Sequence, residues 1–502
     1  MSEQSGQVRD LQVAIVGAGF GGIAAAVALR RYGIEDFEIL ERADGIGGTW
    51  LHNSYPGCAC DVPSHLYSFS FAQRRDWPRL CPVQGEIHEY ILDVVRRFDL
   101  ERSVRTGVEV RSARWDEDAG SWMLDTSSGP VRARAVVFAT GQLDKPAVPR
   151  IPGSESFEGH SFHSARWDHG YELRGRRVGV VGTGASAVQF VPEIAPSVAR
   201  LTVFQRTGNW FMPRRNRPYP TALRWVFSAS PLIQRMRRAF VFNYTEGLTA
   251  TIRHPRTLGR IAAWRSAAFM RMQVRDPQLR AKIWPDYTFG CKRVLFSSLF
   301  LPALQRPNVE LTTSAIERIE PEGIRTADGV LHELDCIIWG TGFKTHEFMA
   351  PVEVHGRDGI GLRDAWRGSP HAYLGMTVPG FPNMFLMYGP NTNTSGGSIL
   401  VYLEAQASYI AQAVAMLRGG ARSLDVRADV EDAADRALQE RFRGTAWEAC
   451  DSWYRLECGR IVTNWPGYMR DYVAATATLD PADFELEPAR QPALTATGGS
   501  DV

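Results

Sequence analysis

The sequence predicts an α/β fold that contains two copies of a strand–helix–strand unit. The first copy spans residues 13–42 and the second spans residues 177–206, and each carries a Gly-rich turn after an apolar run. A further apolar run that closes on Thr-Gly follows each copy, at 135–141 and at 334–343. Short apolar runs of this kind are typical of buried parallel strands. Each copy is therefore predicted to belong to its own parallel sheet.

The first copy has the spacing of a dinucleotide-binding turn, Gly17-x-Gly19-x-x-Gly22. Gly17 allows the tight turn, Gly19 lets the backbone approach a pyrophosphate, and Gly22 lets the helix pack closely on the strand. The N-terminus of the following helix then presents free N–H groups to phosphate. Glu41 ends the second strand, where a carboxylate can accept hydrogen bonds from ribose hydroxyls.

The second copy repeats the turn as Gly182-x-Gly184-x-x-Ala187, and Ala is permitted at the third position. Glu41 lies 24 positions after Gly17, and Arg206 lies 24 positions after Gly182. An acid at this place suits a free ribose, whereas a base suits the 2′-phosphate of NADP. The pair predicts FAD in the first unit and NADPH in the second, with Thr207 beside Arg206. A solvated surface charge is the alternative interpretation of Arg206.

Composition places few other constraints on function. The chain has 502 residues, 22% of them charged, and its net charge of +2 does not indicate an acidic partner. No base-reading module is visible that would indicate nucleic-acid binding. The first ten residues lack a signal-peptide pattern, and no apolar run approaches the roughly 18 residues of a membrane span. We expect a cytoplasmic enzyme without an integral membrane segment; nothing in the sequence indicates its oligomeric state.

Seven scattered cysteines are expected to be reduced thiols. Cys58 and Cys60 are separated by one residue, whereas disulfide reductases on this fold need a wider spacing beside the flavin. No further Cys or His cluster completes a metal site at the usual spacing. We therefore predict structural thiols and no metal.

The order of these patterns predicts two Rossmann-like dinucleotide-binding domains. The first, for FAD, is discontinuous and comprises residues 1–149 and 335–486; residues 150–334 form the NADP domain, and 487–502 form a disordered tail. A helical insertion at about 212–283 in the NADP domain is rich in Arg and aromatic residues. Basic helices packed on the rest of the protein are one interpretation; a face for a membrane surface or an acidic substrate is the other.

Three stretches resemble the type I Baeyer–Villiger monooxygenases, which are class B flavin-dependent enzymes of the flavin-containing monooxygenase superfamily. Residues 157–168 fit the family signature F-x-G-x-x-x-H-x-x-x-W-[PD], in which the sister N- and S-oxygenating enzymes end in an aromatic residue and Lys. Residues 48–61 match G-x-W-x-x-x-x-[FY]-P-G-x-x-x-D, and residues 289–293 resemble the segment that bears the active-site arginine. The resemblance extends from about Val13 to Tyr472.

This resemblance implies an enzyme that uses NADPH, FAD and O₂ to convert a small-molecule ketone into an ester or lactone through a C4a-peroxyflavin. That chemistry needs a fixed cation in a dry site, and Arg stays charged in any site. Arg293 is the candidate cation, and Asp61 is the candidate carboxylate that orients it through a bidentate pair. A phosphate or surface contact is the alternative for Arg293, and a turn cap is the alternative for Asp61.

The remaining assignments follow the same resemblance. Lys292 is expected to point toward the 2′-phosphate together with Arg206. His163 and Trp167 are expected to be structural rather than catalytic. The other predicted cofactor-binding residues lie in the loops near the two turns: Gly48, Thr49, Trp50, Asp61 and Gly342.

Three other functions compete with this one. An N- or S-oxygenating flavin monooxygenase would use the same cofactors, but the Trp167-Asp168 ending disfavours it. An NADPH-linked flavin reductase would not need Arg293. A non-catalytic FAD-binding redox-sensing module would bind FAD without NADPH-driven oxygen uptake.

Overall fold

A computed structural model of the chain describes residues 8–214, 216–394 and 396–488. Within these ranges the chain forms two large sheets that contain parallel strands, with helices packed against them. The fold is the predicted α/β class.

Strands occur along the whole described chain. In chain order they are β1 (Arg9–Val16), β2 (Phe37–Leu40), β3 (Val104–Arg105), β4 (Val110–Asp116), β5 (Ser121–Thr126), β6 (Val131–Phe138), β7 (His160–His163), β8 (Arg177–Val181), β9 (Arg200–Phe204), β10 (Phe211–Met212), β11 (Leu295–Phe296), β12 (Val309–Thr312), β13 (Ile316–Glu320), β14 (Gly323–Thr326), β15 (Leu331–Glu333), β16 (Cys336–Trp339), β17 (Glu353–His355), β18 (Met384–Leu386), β19 (Ala421–Val426) and β20 (Phe484–Pro488).

The α-helices are concentrated after the Gly-rich turns, in the insertion and near the C-terminus. They are α1 (Phe20–Arg31), α2 (Thr49–His52), α3 (Gln84–Arg97), α4 (Ala185–Ile194), α5 (Thr221–Ala229), α6 (Pro231–Arg253), α7 (Leu258–Gln273), α8 (Pro277–Ile283), α9 (Phe300–Ala303), α10 (Leu362–Trp366), α11 (Ile399–Arg418), α12 (Ala428–Glu440) and α13 (Met469–Ala475).

The first sheet has the order β17-β4-β5-β6-β1-β2-β3, and β18 also pairs with β6. Its centre is parallel: β1 lies between β2 and β6, with Val13 opposite Phe37 and Ala135. All four residues of 13–16 are buried because both faces of the sheet are covered, and α1 packs between β1 and α11. This arrangement places the Gly-rich turn after β1 at the carboxyl edge of the sheet.

The second sheet is parallel throughout and has the order β12-β9-β8-β16-β7. Its central pair, β8 and β16, brings the second Gly-rich turn next to the Thr-Gly that follows Trp339. Helices α5 to α8 fill the predicted insertion between β9 and β12. The two units thus repeat the same geometry, as their sequences predict.

Two predicted boundaries differ from the structure, and one edge strand was not predicted. That strand is β7, which lies between the two Gly-rich turns and pairs with β16. The boundary at 334/335 cuts off β16, although this strand hydrogen-bonds to β8 in the second sheet. The predicted tail begins too early, because β20 reaches Pro488 and pairs with β19; residues 489–502 lie outside the described residues.

Among the described residues, one helix has the length and composition of a membrane span, namely α11. Its residues Leu403, Ile410 and Leu417 are buried, and the helix packs against α1 and α13. The apolar side chains of α11 therefore belong to the core of the first unit.

The close packing of α1 on its own turn generates a stability prediction. A Cβ at Gly22 would overlap the carbonyl oxygen of Gly17, so we expect Gly22→Ala to lower the free energy of unfolding by about 1–3 kcal/mol. Gly247, inside α6, has open space around its Cβ position, so Gly247→Ala should instead raise stability by up to about 1 kcal/mol. Urea-unfolding midpoints measure both changes. A Gly22→Ala protein as stable as the parent would contradict the packing described.

Candidate active site

One continuous cavity of about 1560 Å³ lies where the two units face each other. Its wall includes both Gly-rich turns, through Gly19 and Gly184, and also Asp61 and Arg293. This volume exceeds the roughly 300–1,000 Å³ of ordinary small-molecule pockets. The cavity has room for two dinucleotides and a substrate.

The first turn is shaped for a group that contacts bare backbone. Gly17 has a φ of +107°, and a Cβ there would lie 2.6 Å from the carbonyl oxygen of Ala139. Gly19 faces Gly48, whose Cβ would lie only 3.0 Å from the Gly19 Cα. Side chains are thus excluded on both sides of the entrance to α1. This slot fits the pyrophosphate of a dinucleotide at a helix N-terminus.

Glu41 lies beside this slot and is fixed by two hydrogen bonds from the backbone. Its Oε2 accepts a hydrogen bond from the backbone N–H of Ala18 at 2.7 Å, and its Oε1 accepts one from Ala43 at 2.8 Å. The carboxylate lines the cavity, and each oxygen retains a lone pair for a ribose hydroxyl. The predicted position of Glu41 after β2 agrees with this arrangement.

The loop after β2 turns into the cavity at Gly48 and begins α2 at Thr49. Trp50 is buried there, and its indole N–H donates to the hydroxyl of Tyr67 at 2.9 Å. Thr49 and Trp50 both line the cavity. These contacts fix the part of the loop that faces the first turn.

The second turn has the same backbone geometry as the first. Gly182 has a φ of +100°, and a Cβ there would lie 2.6 Å from the carbonyl oxygen of Gly340. Gly184 caps α4, and Ala187 is fully buried in its first turn. The repeated cradle fits a second dinucleotide.

The predicted NADPH residues come to the cavity near this second turn. Arg206 and Thr207 follow β9 and line the wall, and Arg206 is exposed. Lys292 lines the same cavity, with its Nζ 4.9 Å from the ring centre of Tyr287. Gly342 lines the wall after β16. Lys292 and Arg206 thus contribute two cations to one cavity.

The structure brings Arg293 and Asp61 together across 232 positions of sequence. Arg293 Nη2 donates to Asp61 Oδ2 at 3.0 Å. The predicted bidentate pair is not formed, because one nitrogen of Arg293 contacts one oxygen of Asp61. Arg214 Nη1 lies 3.5 Å from the other oxygen, Oδ1. Arg214 also donates to the carbonyl oxygen of Cys60 at 3.0 Å. Asp61 is therefore shared by two guanidinium groups.

Exposure separates the roles of these two arginines. The side chains of Asp61 and Arg214 are only 11% and 12% exposed, whereas Arg293 is 51% exposed toward the cavity. Desolvation disfavours the charge of Arg293, but Asp61, with a smaller effect from Tyr454, more than offsets this and raises the pKa of Arg293. Arg293 therefore presents a permanent positive charge to the cavity.

Two tyrosines, Tyr388 and Tyr454, line the cavity close to Arg293. Burial raises the pKa of Tyr388 to about 12, and it also raises the pKa of Tyr454. Both side chains are therefore neutral hydroxyls at neutral pH. Trp453 packs on Tyr454 with ring centres 4.0 Å apart, and both side chains line this cavity.

Sequence reasoning missed two positioning contacts. Arg214 was one of many arginines in the insertion, with no spacing signal to single it out. Gln189, in the middle of α4, has no motif either, yet its amide binds the backbone N–H and C=O of Ala59 at 3.1 and 2.9 Å. Gln189 thus ties the loop that carries Asp61 to the second unit.

The signature stretch at 157–168 contributes structural contacts through His163 and Trp167, as expected. Nδ1 of His163 accepts a hydrogen bond from the backbone N–H of Ala165 at 3.1 Å, and burial lowers the pKa of His163. Trp167 packs against Phe162 and Phe190. His163 is therefore a neutral, backbone-bound histidine at neutral pH.

The expectation of seven reduced thiols is wrong for two of them. Cys291 and Cys450 form a disulfide across 159 positions, which no local spacing reveals. It joins the segment that bears Arg293 to the loop that bears Tyr454. Cys58 and Cys60 remain separate, buried thiols, and burial raises the pKa of Cys58 to about 11. No cluster of potential metal ligands occurs in the described ranges.

Two dinucleotide-type turns on one cavity define this chain as an oxidoreductase with two nucleotide cofactors. A family described as pyridine nucleotide-disulphide oxidoreductase matches residues 14–222. A Baeyer-Villiger monooxygenase of Streptomyces coelicolor is 43% identical over 495 residues, covering 97% of this chain and 95% of that protein.

Solved structures are also similar to this chain. The closed crystal structure of cyclohexanone monooxygenase matches with a TM-score of 0.87 and 32% identity, covering 96% of this chain and 100% of that one. A complex of OTEMO with FAD and NADP matches with a TM-score of 0.85 and 27% identity over the same shares. The chain belongs to the Baeyer–Villiger monooxygenase family, so it is an FAD-dependent enzyme that uses NADPH and O₂. The function, fold and cofactors predicted from the sequence are confirmed, and the competing functions are not favoured.

The disulfide yields a direct prediction. In denaturant without reductant, a thiol reagent should titrate five cysteines, and after reduction it should titrate seven. In the native protein only Cys458 should react, because the other four free thiols are buried. Seven reactive thiols without reduction would show that Cys291 and Cys450 are not bonded.

Proposed function

We propose that Arg293 is the cation that stabilises negative charge on the oxygen to be transferred to the ketone. It is the exposed member of the cluster, it lines the cavity, and Asp61 keeps it in place. A guanidinium provides this charge at any working pH. Fixed donors of this kind act strongest in a site from which water is excluded.

Bound FAD, once reduced by NADPH, supplies the reducing and oxygen-transferring chemistry; the chain's residues bind, orient and shield. Gly17, Gly19 and Gly22 with Glu41 would hold FAD, and the loop Gly48–Trp50 would cover it. Gly182, Gly184 and Ala187 would hold NADPH in the second unit, with Arg206, Thr207 and Lys292 at its 2′-phosphate and Gly342 nearby. The first and last parts of the chain then form the FAD domain, and the part from about 150 through β16 forms the NADP domain.

Asp61 and Arg214 act through Arg293. Asp61 binds Nη2 of Arg293, and Arg214 holds the other carboxylate oxygen and the backbone at Cys60. With a guanidinium on each oxygen, the carboxylate cannot turn away from Arg293 without losing a contact. Asp61 and Arg214 are thus positioning residues for Arg293.

The reacting end of the cavity is lined by apolar and aromatic side chains. Ile252, Phe289, Trp453 and Tyr454 all contribute to its wall near Arg293. This lining excludes water and suits an apolar ketone. The cyclohexanone monooxygenase that this chain resembles takes its name from a cyclic ketone of this class. We propose that the substrate is an apolar ketone and that the enzyme works in the cytoplasm.

The role of Arg293 is tested by substitution. Arg293→Ala should keep NADPH-driven flavin reduction but lower ester formation by about 10²–10³-fold, because one fixed charge is lost at the reacting oxygen. Arg293→Lys, which keeps charge but not the planar fork, should fall between the two. Product analysis by gas chromatography and stopped-flow reduction measure the two steps separately. Full ester yield from Arg293→Ala would remove Arg293 from the mechanism.

The role of Arg206 is tested by cofactor preference. Arg206→Ala should weaken NADPH relative to NADH by about tenfold or more, because a charge-assisted contact to phosphate is lost. Arg200→Ala, at the other end of β9 and 60% exposed, is the matched control and should leave the preference unchanged. The ratio of kcat/KM for the two nucleotides is the measurement. An unchanged ratio in Arg206→Ala would refute the assignment.

A further inference from the structure

Helices α5, α6 and α7 carry an unusual share of exposed apolar surface. Eleven of the nineteen exposed large hydrophobic side chains in the described residues lie on these three helices. They are Leu223, Trp225, Leu232, Ile233, Met236, Phe240, Tyr244, Leu258, Ile261, Trp264 and Met272. Trp225 and Trp264 are 70% and 69% exposed, which is far more than packing within the chain would leave. We call this set the α5–α7 face.

The spacing shows that the face is organised. Leu232, Met236, Phe240 and Tyr244 recur every four residues and therefore form one stripe along α6. Ile261 and Trp264 lie one turn apart on α7. Helix α6 packs against both α5 and α7, so the three helices that carry these side chains lie next to one another.

The charge on and beside these helices is predominantly positive. Between residues 221 and 276 seven arginines are exposed, against one exposed carboxylate, Asp276; the other acidic residue in that range, Glu246, is buried and binds Arg470. The exposed arginines are Arg224, Arg235, Arg256, Arg260, Arg265, Arg271 and Arg275. Aromatic and apolar side chains interleaved with arginines, with few exposed carboxylates, are typical of helices that lie in a membrane interface.

We propose that the α5–α7 face docks on an anionic lipid surface. Trp, Phe and Tyr would lie at the boundary between headgroups and acyl chains, and the arginines would bind lipid phosphates. A second copy of the chain is a poorer occupant, because an isologous contact would place seven arginines against seven others. Docking of this kind is peripheral and needs no membrane-spanning helix.

The face is continuous with the cavity. Tyr244 belongs to the exposed stripe and also lines the cavity, and Thr245, Leu248 and Ile252 continue that wall along α6. On a bilayer, this helix would lead from the lipid to the site near Arg293. An apolar ketone dissolved in lipid could then enter along α6; this last step depends on the proposed function, whereas docking does not.

The test is co-sedimentation of the FAD-loaded, full-length protein with vesicles, without turnover. Vesicles of phosphatidylcholine with about a third phosphatidylglycerol should bind the protein, pure phosphatidylcholine vesicles should bind it much less, and added salt should weaken binding. Replacing Trp225, Phe240 and Trp264 together by Ser should lower the partition coefficient at least about tenfold. The matched control replaces Val330, Ile360 and Leu486, which are exposed elsewhere, and should bind like the parent.

A second variant keeps the proposal testable if the first unfolds. Arg235, Arg260 and Arg265 changed together to Glu should abolish binding to anionic vesicles while FAD content and ester formation in solution persist. Equal binding to neutral and anionic vesicles, or none to either, would overturn the proposal. A dimer in sedimentation velocity that the Ser variant dissociates would assign the face to a second copy instead. A parent protein that binds anionic vesicles but forms no ester from a ketone would count against the proposed function only, and not against docking.

Discussion

The site depends on one carboxylate held between two guanidinium groups. Asp61 binds Arg293 through one oxygen and approaches Arg214 through the other, and both partners come from distant parts of the chain. Asp61 lies on a loop from the first unit, whereas Arg293 and Arg214 flank the insertion of the second. The cluster therefore forms only when the two units face each other. Its net positive charge is directed into the cavity by the more exposed arginine.

Other parts of the fold position this cluster of Asp61, Arg293 and Arg214 in the cavity. Two sheets with the same turn geometry put two nucleotide-binding slots on one cavity, and Gln189 ties the Asp61 loop across the gap. The Cys291–Cys450 disulfide holds the Arg293 segment against the loop of Tyr454. Such cross-links limit how far the cation can move relative to the slots. Precise placement of a charge is what an electrostatic role requires.

Much of this was predictable from sequence because it is local. Gly17 and Gly182 encode tight turns through their own conformational freedom, and the acid and base at 41 and 206 appear in the same register. The Arg293–Asp61 contact was predicted only through a family resemblance. Arg214, Gln189 and the disulfide were not predicted, because long-range contacts between common residue types leave no pattern along the chain. The edge strand β7 was missed because a four-residue strand within a Pro-rich segment is too short to show a recognisable alternation of apolar and polar residues.

The free energy of coupling between Asp61 and Arg293 tests most directly whether the carboxylate acts through this arginine. A double-mutant cycle with Asp61→Asn and Arg293→Lys should be followed by the rate of ester formation per bound flavin. If the carboxylate acts through Arg293, the two losses should be non-additive, with an interaction free energy of about 0.5–3 kcal/mol. Losses that add within about 0.5 kcal/mol would show that the two residues act independently, which would contradict the central role of their contact.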